Sequence, residues 1–485
     1  MDTPTVRAKL RLPGMVRNPC SSLAASNLSG ATVQAVLVEE TMRNMNLIDP
    51  ATSTEPCALR RHPTKLFVET TTRCNLSCVM CVKQAEGCGI TEGDMAPSTF
   101  AALEPALPTA EALILNGVGE PLLHPGLEGF ITRAKALMPA GSWVGFQSNG
   151  LLLDEARGLS LLRAGLDKIC LSLDAFSPDT YQRIREGGQL LSIERAFDAI
   201  AKAKAALPGN TFQLGIEFVV MPSNMQELPT VLTWAAAHGA AFAIVTHALP
   251  YAEAETTSVT YETCSAEAIE LFRKWQAKAA AEDADIYRYP RIIWKYSKSA
   301  EELRVVGFVE HMKAEAEQSG IYLDLKKLFT LDLAHMERTA QMFQQARQVA
   351  DACGIDLKLP ELLLKETRRC DFVEEGGMFV SWDGEIFPCY FLWHHYHCFA
   401  SGWQQTVKPR SFGNLAEKSA LDIWNTGTFQ AFRENVIRYD YPYCASCSLA
   451  PCDYVQTDNF EQDCHINAEP CGSCLWCMGI FQCLR

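Results

Sequence analysis

The sequence predicts an α/β fold, a partial (βα)6 TIM-like barrel with an N-terminal extension, a helical insertion and a cysteine-rich C-terminal domain. Three observations predict it. Short β-branched or aliphatic runs alternate with helical patterns between residues 65 and 250. Long amphipathic stretches rich in Ala, Glu, Lys and Gln occupy residues 262–360, and from Cys370 onward the helical pattern gives way to Gly, Pro, Trp and Cys. Strands alternating with helices imply right-handed crossovers and a parallel sheet. Six such units make a sheet that is open or curves into part of a barrel.

Taken in order, residues 1–60 lack clear periodicity beyond a helix near Ala31 to Asn44 and read as an extension. Strands are expected at Leu66–Thr70, Ala112–Leu115, Trp143–Gln147, Lys168–Leu173, Phe212–Met221 and Ala241–Thr246. Helices are expected between them, for example at Gly126–Leu137, Ser192–Ala206 and Met225–His238. Ala266–Asp283 and Met336–Cys353 are long enough and amphipathic enough to be helices of an insertion. The expected organisation is therefore an extension over 1–60, a barrel over 61–255, a helical insertion or linker over 256–365 and a metal-stabilised domain over 366–485.

The 485 residues, with 48% hydrophobic and 21% charged, describe an ordinary globular protein of one to three domains. A net charge of −14 offers no basic field for a polyanion, which argues against a nucleic-acid partner. No apolar run approaches the roughly 18 residues needed to span a bilayer, and residues 1–20 carry no signal-peptide pattern, so a cytoplasmic protein with no membrane partner is expected. The anomaly is 20 cysteines, of which three fall at 74–81 and eleven between Cys370 and Cys483. In a reducing compartment such clusters bind metal more often than they form disulfides.

Cys74, Cys78 and Cys81 follow the first expected strand with the spacing C-x3-C-x2-C, for which composition alone gives about 0.03 chance matches. Three thiolates can hold a 4Fe–4S cluster and leave its fourth iron open to a ligand, as an open zinc position is. A zinc or redox role for the triplet is the alternative. Position supports an active site, since the triplet sits at the C-terminal mouth of the sheet.

Here the chain resembles the radical S-adenosylmethionine (SAM) superfamily. The resemblance implies that Cys74, Cys78 and Cys81 ligate the cluster and that the amino and carboxylate groups of SAM chelate the open iron. Reductive cleavage of SAM then yields a 5′-deoxyadenosyl radical that abstracts hydrogen from the substrate. Asn116 to Pro121 looks like the family's GGE-P motif, its first Gly pair interrupted but Gly119, Glu120 and Pro121 matching, which implies contact with the SAM amino group. Ser148-Asn149 and Ser172 to Asp174 end later strands, at positions similar to those that contact the SAM ribose and carboxylate. Tyr181 and Arg185 resemble a family Tyr-x3-Arg whose arginine binds a carboxylate. Taken singly, these residues read equally as a glycine turn with a solvated glutamate, a Ser-Asn-Gly turn and a surface arginine. Glu217 and Thr246-His247 read as mouth residues or as structural ones.

Toward the C-terminus, Cys370, Gly384 and Cys389 fit C-x(9–15)-G-x4-C, and Cys444, Cys447, Cys452, Cys464, Cys471, Cys474, Cys477 and Cys483 follow. This looks like the SPASM domain, a C-terminal extension of some radical SAM enzymes that carries auxiliary 4Fe–4S clusters. The spacing departs from the usual C-x2-C-x5-C-x3-C. By chain order, Cys370, Cys389 and Cys464 would serve one cluster. Cys444, Cys447 and Cys452 would serve the other, closed by a residue from Cys471 to Cys483. The spacing of Cys444-x2-Cys447 and Cys471-x2-Cys474 also approximates a zinc ribbon. His394, His395 and His397 beside Cys398 read as a polar loop rather than a metal site. The end of the chain resembles maturases encoded near tungsten-dependent aldehyde oxidoreductases. In sulfatase-maturing relatives an aspartate follows the second SPASM cysteine and takes a proton; here Tyr390 holds that place and is the candidate catalytic residue, although that base is not carried over directly.

The resemblance covers residues 64–250 and 370–485. It implies a maturase that oxidises or cross-links a peptide or protein, or processes a cofactor precursor, with a reductant such as ferredoxin or flavodoxin. Small-molecule dehydrogenation or rearrangement is the enzymatic alternative. An iron–sulfur electron carrier or zinc-stabilised binding protein is the alternative from another class, and would need neither Glu120 nor an open iron.

Overall fold

The expected strands form because their β-branched and aliphatic residues suit a sheet covered on both faces, where parallel strands read as continuous apolar runs. In the computed structural model, which describes residues 57–485 apart from 86, 366 and 450, they are β1 (Lys65–Val68), β2 (Ala112–Ile114), β3 (Trp143–Ser148), β4 (Lys168–Ser172), β5 (Gln213–Val220) and β6 (Ala240–His247). The extension and its expected helix lie outside the described residues, save for a short turn at Cys57–Leu59.

Three more strands, none expected from the sequence, widen this sheet: β7 (Asp356–Lys358), β8 (Gly377–Val380) and β9 (Ile386–Phe387). The order is β7-β6-β5-β4-β3-β2-β1-β8-β9, parallel throughout except for β9. The six βα units are therefore the middle of a larger curved sheet. One edge is supplied by the end of the helical region and the other by the cysteine-rich segment.

Strand alternation sorts the side chains into two cores. Leu66, Leu113, Val144, Ile169, Ile216 and Val245 pack outward beneath helices such as Leu127–Leu137 and Leu190–Ala206. Phe67, Ala112, Ile114, Cys170, Ile244 and Phe379 form a second cluster on the concave side. Moving one step further along the same parity, toward the C-terminal strand ends, the inward positions become polar: Glu69, Asn116, Gln147, Ser172 and Glu217. The concave side is thus plugged with hydrocarbon below and polar above, which places the working surface at the mouth.

The stretch 256–365 bridges an insertion core and the barrel. Cys264, Phe272, Val305, Val309, Met312 and Leu328 make a separate core for the helices Ala266–Ala281 and Ala300–Ser319. The helix Leu333–Cys353 touches this core with Leu333 and Met336 at its start, then packs against Leu228–Ala237 of the barrel and feeds β7.

The expectation that helices end at Cys370 is corrected by a helix at Gly427–Arg438. Its Phe429, Phe432 and Val436 are buried beside Trp424, an apolar stripe masked in the sequence by the surrounding cysteines and prolines. Arg433 of this helix lies 3.9 Å from the Trp424 ring and donates from Nε to the Ala58 carbonyl at 3.1 Å. The C-terminal residues return to the barrel: the Gln482 amide donates to Thr246 Oγ1 at 3.1 Å, Leu484 joins the concave core, and Arg485 pairs with Asp371. Among the described residues no helix is long and apolar enough to cross a membrane.

Candidate active site

A cavity of about 340 Å³ opens at the C-terminal strand ends. Cys74, Cys78 and Cys81, all half-buried, line one side of it, on the loop that follows β1. Burial raises Cys78, opposed by the Arg185 guanidinium, and burial raises Cys81 to about 11. Asn149 Nδ2 reaches Cys74 Sγ at 3.9 Å and Arg185 NH1 reaches Cys78 Sγ at 3.8 Å. Two donors already aimed at sulfur, and two thiols that burial raises, suit a cationic iron cluster that takes the thiolate charge.

Glu120 organises the floor of this cavity. Its Oε1 accepts from Ser148 Oγ at 2.7 Å and from the Leu122 amide at 3.1 Å, and its Oε2 accepts from the Asn149 amide at 2.7 Å. Burial pushes this carboxyl up, while those hydrogen bonds oppose the shift. The bland reading, a glycine turn with a solvated glutamate, fails because Glu120 is 3% exposed. The Glu120 amide also donates to the Arg73 carbonyl at 2.7 Å, tying this loop to the cysteine loop. Glycine is required beside it: a Cβ on Gly119 would lie 2.2 Å from the Thr71 carbonyl oxygen and 2.6 Å from that of Arg73. Gly119→Ala should therefore cost about 1–3 kcal/mol through overpacking, read as a lower denaturation midpoint together with poorer iron retention after desalting.

Of the residues expected to hold SAM, Gly119, Glu120, Ser148, Asn149, Ser172 and Arg185 line the cavity. Asp174 does not and stands behind it. Its Oδ2 accepts from Arg185 Nε at 2.6 Å and its Oδ1 from the Val219 amide at 2.7 Å. The physical reason is charge pairing: both side chains are almost wholly buried, and each supplies the counter-ion the other needs. Arg185 is therefore not a surface arginine. Thr246 and His247 both line the cavity; Thr246 accepts from the Gln482 amide, and His247 is tied down by structural bonds. Its ring bonds Thr260 Oγ1 at 2.7 Å and the Glu361 carbonyl at 2.9 Å, and burial drops its pKa to about 4.

The far wall comes from the C-terminal domain: Tyr390, Trp393, Tyr396, Trp476, Phe481 and Cys483. Tyr390 stands in the wall with its hydroxyl buried and unpartnered. Burial first, then nearby Cys483, Glu69 and Glu217, push it well above the usual phenol range, so it stays protonated and can donate but not accept a proton as a base. Glu217 also faces the cavity, and burial raises it to about 7, opposed by Arg185 and a bond from Gln147. Sequence reasoning missed Gln147 and Glu69, although the alternation of β3 and β1 points both inward. Glu69 is fully buried and accepts from His394 Nε2 at 3.1 Å, which gives one member of the histidine loop a partner other than metal.

Eight of the eleven C-terminal cysteines fall into two neighbourhoods that differ from those given by chain order. Cys370, Cys389, Cys471 and Cys474 lie within reach of one another's charge and line a common cavity of about 40 Å³. Cys444, Cys447, Cys452 and Cys464 form the second set, joined by the same kind of mutual influence. Cys464 thus stands with Cys444 rather than with Cys370. The turn at Pro470–Ser473 brings Cys471 and Cys474 to the first set. Its Gly472 packs so closely that a Cβ there would be 3.1 Å from Cys444 Sγ.

Cys477 Sγ donates to the Cys474 carbonyl at 2.9 Å, and the contact between the two thiols lowers Cys474 and raises Cys477. Cys483 lines both the small cavity and the mouth. Each set brings four thiols near one another, the number that a 4Fe–4S cluster takes. Among the described residues no three His, Cys, Asp or Glu converge on a point close enough to hold a single metal ion.

Residues 68–235 match the radical SAM superfamily, and residues 370–448 match SPASM, an iron–sulfur cluster-binding domain. The tungsten-containing aldehyde ferredoxin oxidoreductase cofactor-modifying protein of Pyrococcus furiosus is 27% identical over 424 residues, covering 86% of this chain and 96% of that one. A GTP 3′,8-cyclase of Streptomyces coelicolor is 30% identical over 183 residues, 37% of this chain and 51% of the cyclase. Among solved structures, SuiB of Streptococcus suis bound to its precursor peptide SuiA matches with a TM-score of 0.44 at 12% identity, over 86% of this chain and 81% of that one.

Proposed function

This chain carries a radical SAM domain followed by a SPASM iron–sulfur domain, and from that premise we propose that it is an oxidising maturase of a peptide, protein or cofactor precursor. The first domain brings a 4Fe–4S cluster and SAM, and the second brings auxiliary clusters. Together the first cluster and SAM supply a 5′-deoxyadenosyl radical competent to abstract hydrogen.

The chain's own residues set the stage for that step. Cys74, Cys78 and Cys81 hold the cluster. Glu120, with Ser148 and Asn149 fixed to its carboxylate, shapes the side that receives SAM, and Arg185 lies beside Cys78. The aromatic wall of Tyr390, Trp393, Tyr396 and Trp476 excludes water from the substrate position. Glu217, poised near neutrality, accepts the proton released on oxidation, and Tyr390 donates a hydrogen bond to substrate oxygen or nitrogen.

One observation carries the oxidising reading: Tyr390, in the cavity wall, directly follows Cys389 of the first C-terminal thiol set, so an electron acceptor abuts the substrate space. The name of the Pyrococcus relative supports a cofactor-linked substrate. Ferredoxin or flavodoxin is the proposed reductant.

The test is anaerobic. After reconstitution, iron and sulfide are counted, then dithionite and SAM are added and 5′-deoxyadenosine is measured. About twelve irons with deoxyadenosine are expected for three clusters. About eight irons would leave one auxiliary cluster. Zinc without deoxyadenosine would overturn the reading in favour of a metal-stabilised binding protein. Deoxyadenosine formed only with a small alcohol would point to small-molecule dehydrogenation.

A further inference from the structure

One buried cation lies between the two C-terminal thiol sets. Arg368 is 5% exposed. Its NH1 donates to the Tyr441 carbonyl at 3.0 Å, and its NH2 donates to the carbonyls of Pro442 at 2.6 Å and Gly472 at 3.1 Å. Tyr441 and Pro442 lead into Cys444, and Gly472 lies between Cys471 and Cys474, so the guanidinium straddles the turns that present the two sets. Its carbon sits 4.3 Å from the Tyr443 ring centroid.

Each of these partners is a neutral carbonyl or a ring, and the Nε–H is buried with no partner. A buried cation without a counter-charge costs several kcal/mol. Arg368 lines the small cavity enclosed by Cys370, Cys389, Cys471 and Cys474. The missing anion is supplied once thiolate-bound clusters occupy the sets. Hydrogen bonds to sulfur and nearby positive charge both favour the reduced, more negative state of such a cluster.

We propose that Arg368 is a potential-tuning and positioning residue shared by the two auxiliary clusters. Its Nε–H donates to a sulfur of the cluster held by Cys370, Cys389, Cys471 and Cys474, and its charge raises the reduction potential of both. The inference rests on the reading that each thiol set holds a cluster.

The experiment compares the reconstituted full chain with R368M and R368K in EPR-monitored redox titrations. In R368M the auxiliary signals should shift to lower potential by at least a tenfold change in the one-electron equilibrium constant, about 59 mV. R368K, which keeps the charge but lacks the fork, should shift less. The signal of the Cys74/Cys78/Cys81 cluster should stay in place. Unchanged auxiliary potentials in R368M with a full complement of iron would overturn the proposal.

If R368M fails to retain iron, the wild-type protein decides. With arginine ¹⁵N-labelled in its guanidinium, pulsed EPR of the reduced auxiliary cluster should show coupling to one ¹⁵N, and its absence overturns the proposal. Wild-type protein that reconstitutes with only about four irons overturns the cluster reading itself, an outcome distinct from full iron without a shift or coupling.

Discussion

Cys78→Ala should abolish 5′-deoxyadenosine formation while removing only about four irons, those of one cluster. Cys78 is the central thiol of the triplet, and a buried guanidinium has been brought to 3.8 Å from its sulfur. Alanine leaves that donor without its acceptor and the cluster with two ligands. The two C-terminal sets lie on other segments with their own thiols, so their iron should survive. Loss of deoxyadenosine below detection, with auxiliary EPR signals retained, is the expected pair of results. Cys444→Ala should do the reverse, keeping SAM cleavage and losing iron elsewhere. If Cys78→Ala still made deoxyadenosine, the mouth triplet would not be the SAM-cleaving site. If it lost all iron, the three sets would not be independent.

The barrel was readable because its signal is repeated. Each expected strand from Leu66–Thr70 to Ala241–Thr246 overlaps an observed one with ends shifted by two residues or fewer, since a β-branched run between turn residues has few other uses. The strands that widen the sheet were not readable. Asp356–Lys358 is three residues, two of them charged, and Gly377–Val380 lies among residues whose composition reads as metal-bound coil. Both exist because the edges of β6 and β1 offer unpaired backbone groups that a passing chain satisfies.

The mouth was legible where spacing carries chemistry, as in Cys74, Cys78 and Cys81. It was not legible where a residue acts through another. Asp174 sits at a strand end like a ligand-contacting residue, and only the fold reveals that Arg185 claims its carboxylate. The C-terminal grouping was hidden for a related reason. Chain order assigns Cys464 to Cys370, but the Pro470–Ser473 turn carries the later cysteines back to that set, and no spacing rule encodes which turn folds over which. Arg368 carried no sequence signal at all.

Asp174→Ala should destabilise the protein by about 3–5 kcal/mol, the largest stability effect expected of any single change at the mouth. The carboxylate is fully buried, and its loss strands the equally buried Arg185 and an unpaired Val219 amide. Burial alone would push the guanidinium toward neutrality; the Asp174 carboxylate beside it keeps it charged. Asp174→Asn keeps a group able to accept hydrogen bonds and should cost less, yet still leave Arg185 without its counter-ion. Replacing both partners, as in Asp174→Asn with Arg185→Met, removes the stranded charge, so the double variant should be less destabilised than the sum of the singles. Anaerobic chemical denaturation of the wild type, Asp174→Asn, Arg185→Met and the double variant measures this. Additive effects would mean that the pair is two independent structural contacts. A restored denaturation midpoint without restored SAM cleavage in the double variant would assign the ion pair to holding Arg185 charged beside Cys78. A double variant that regained both would make Arg185 dispensable, and with it the place given to this arginine at the cluster.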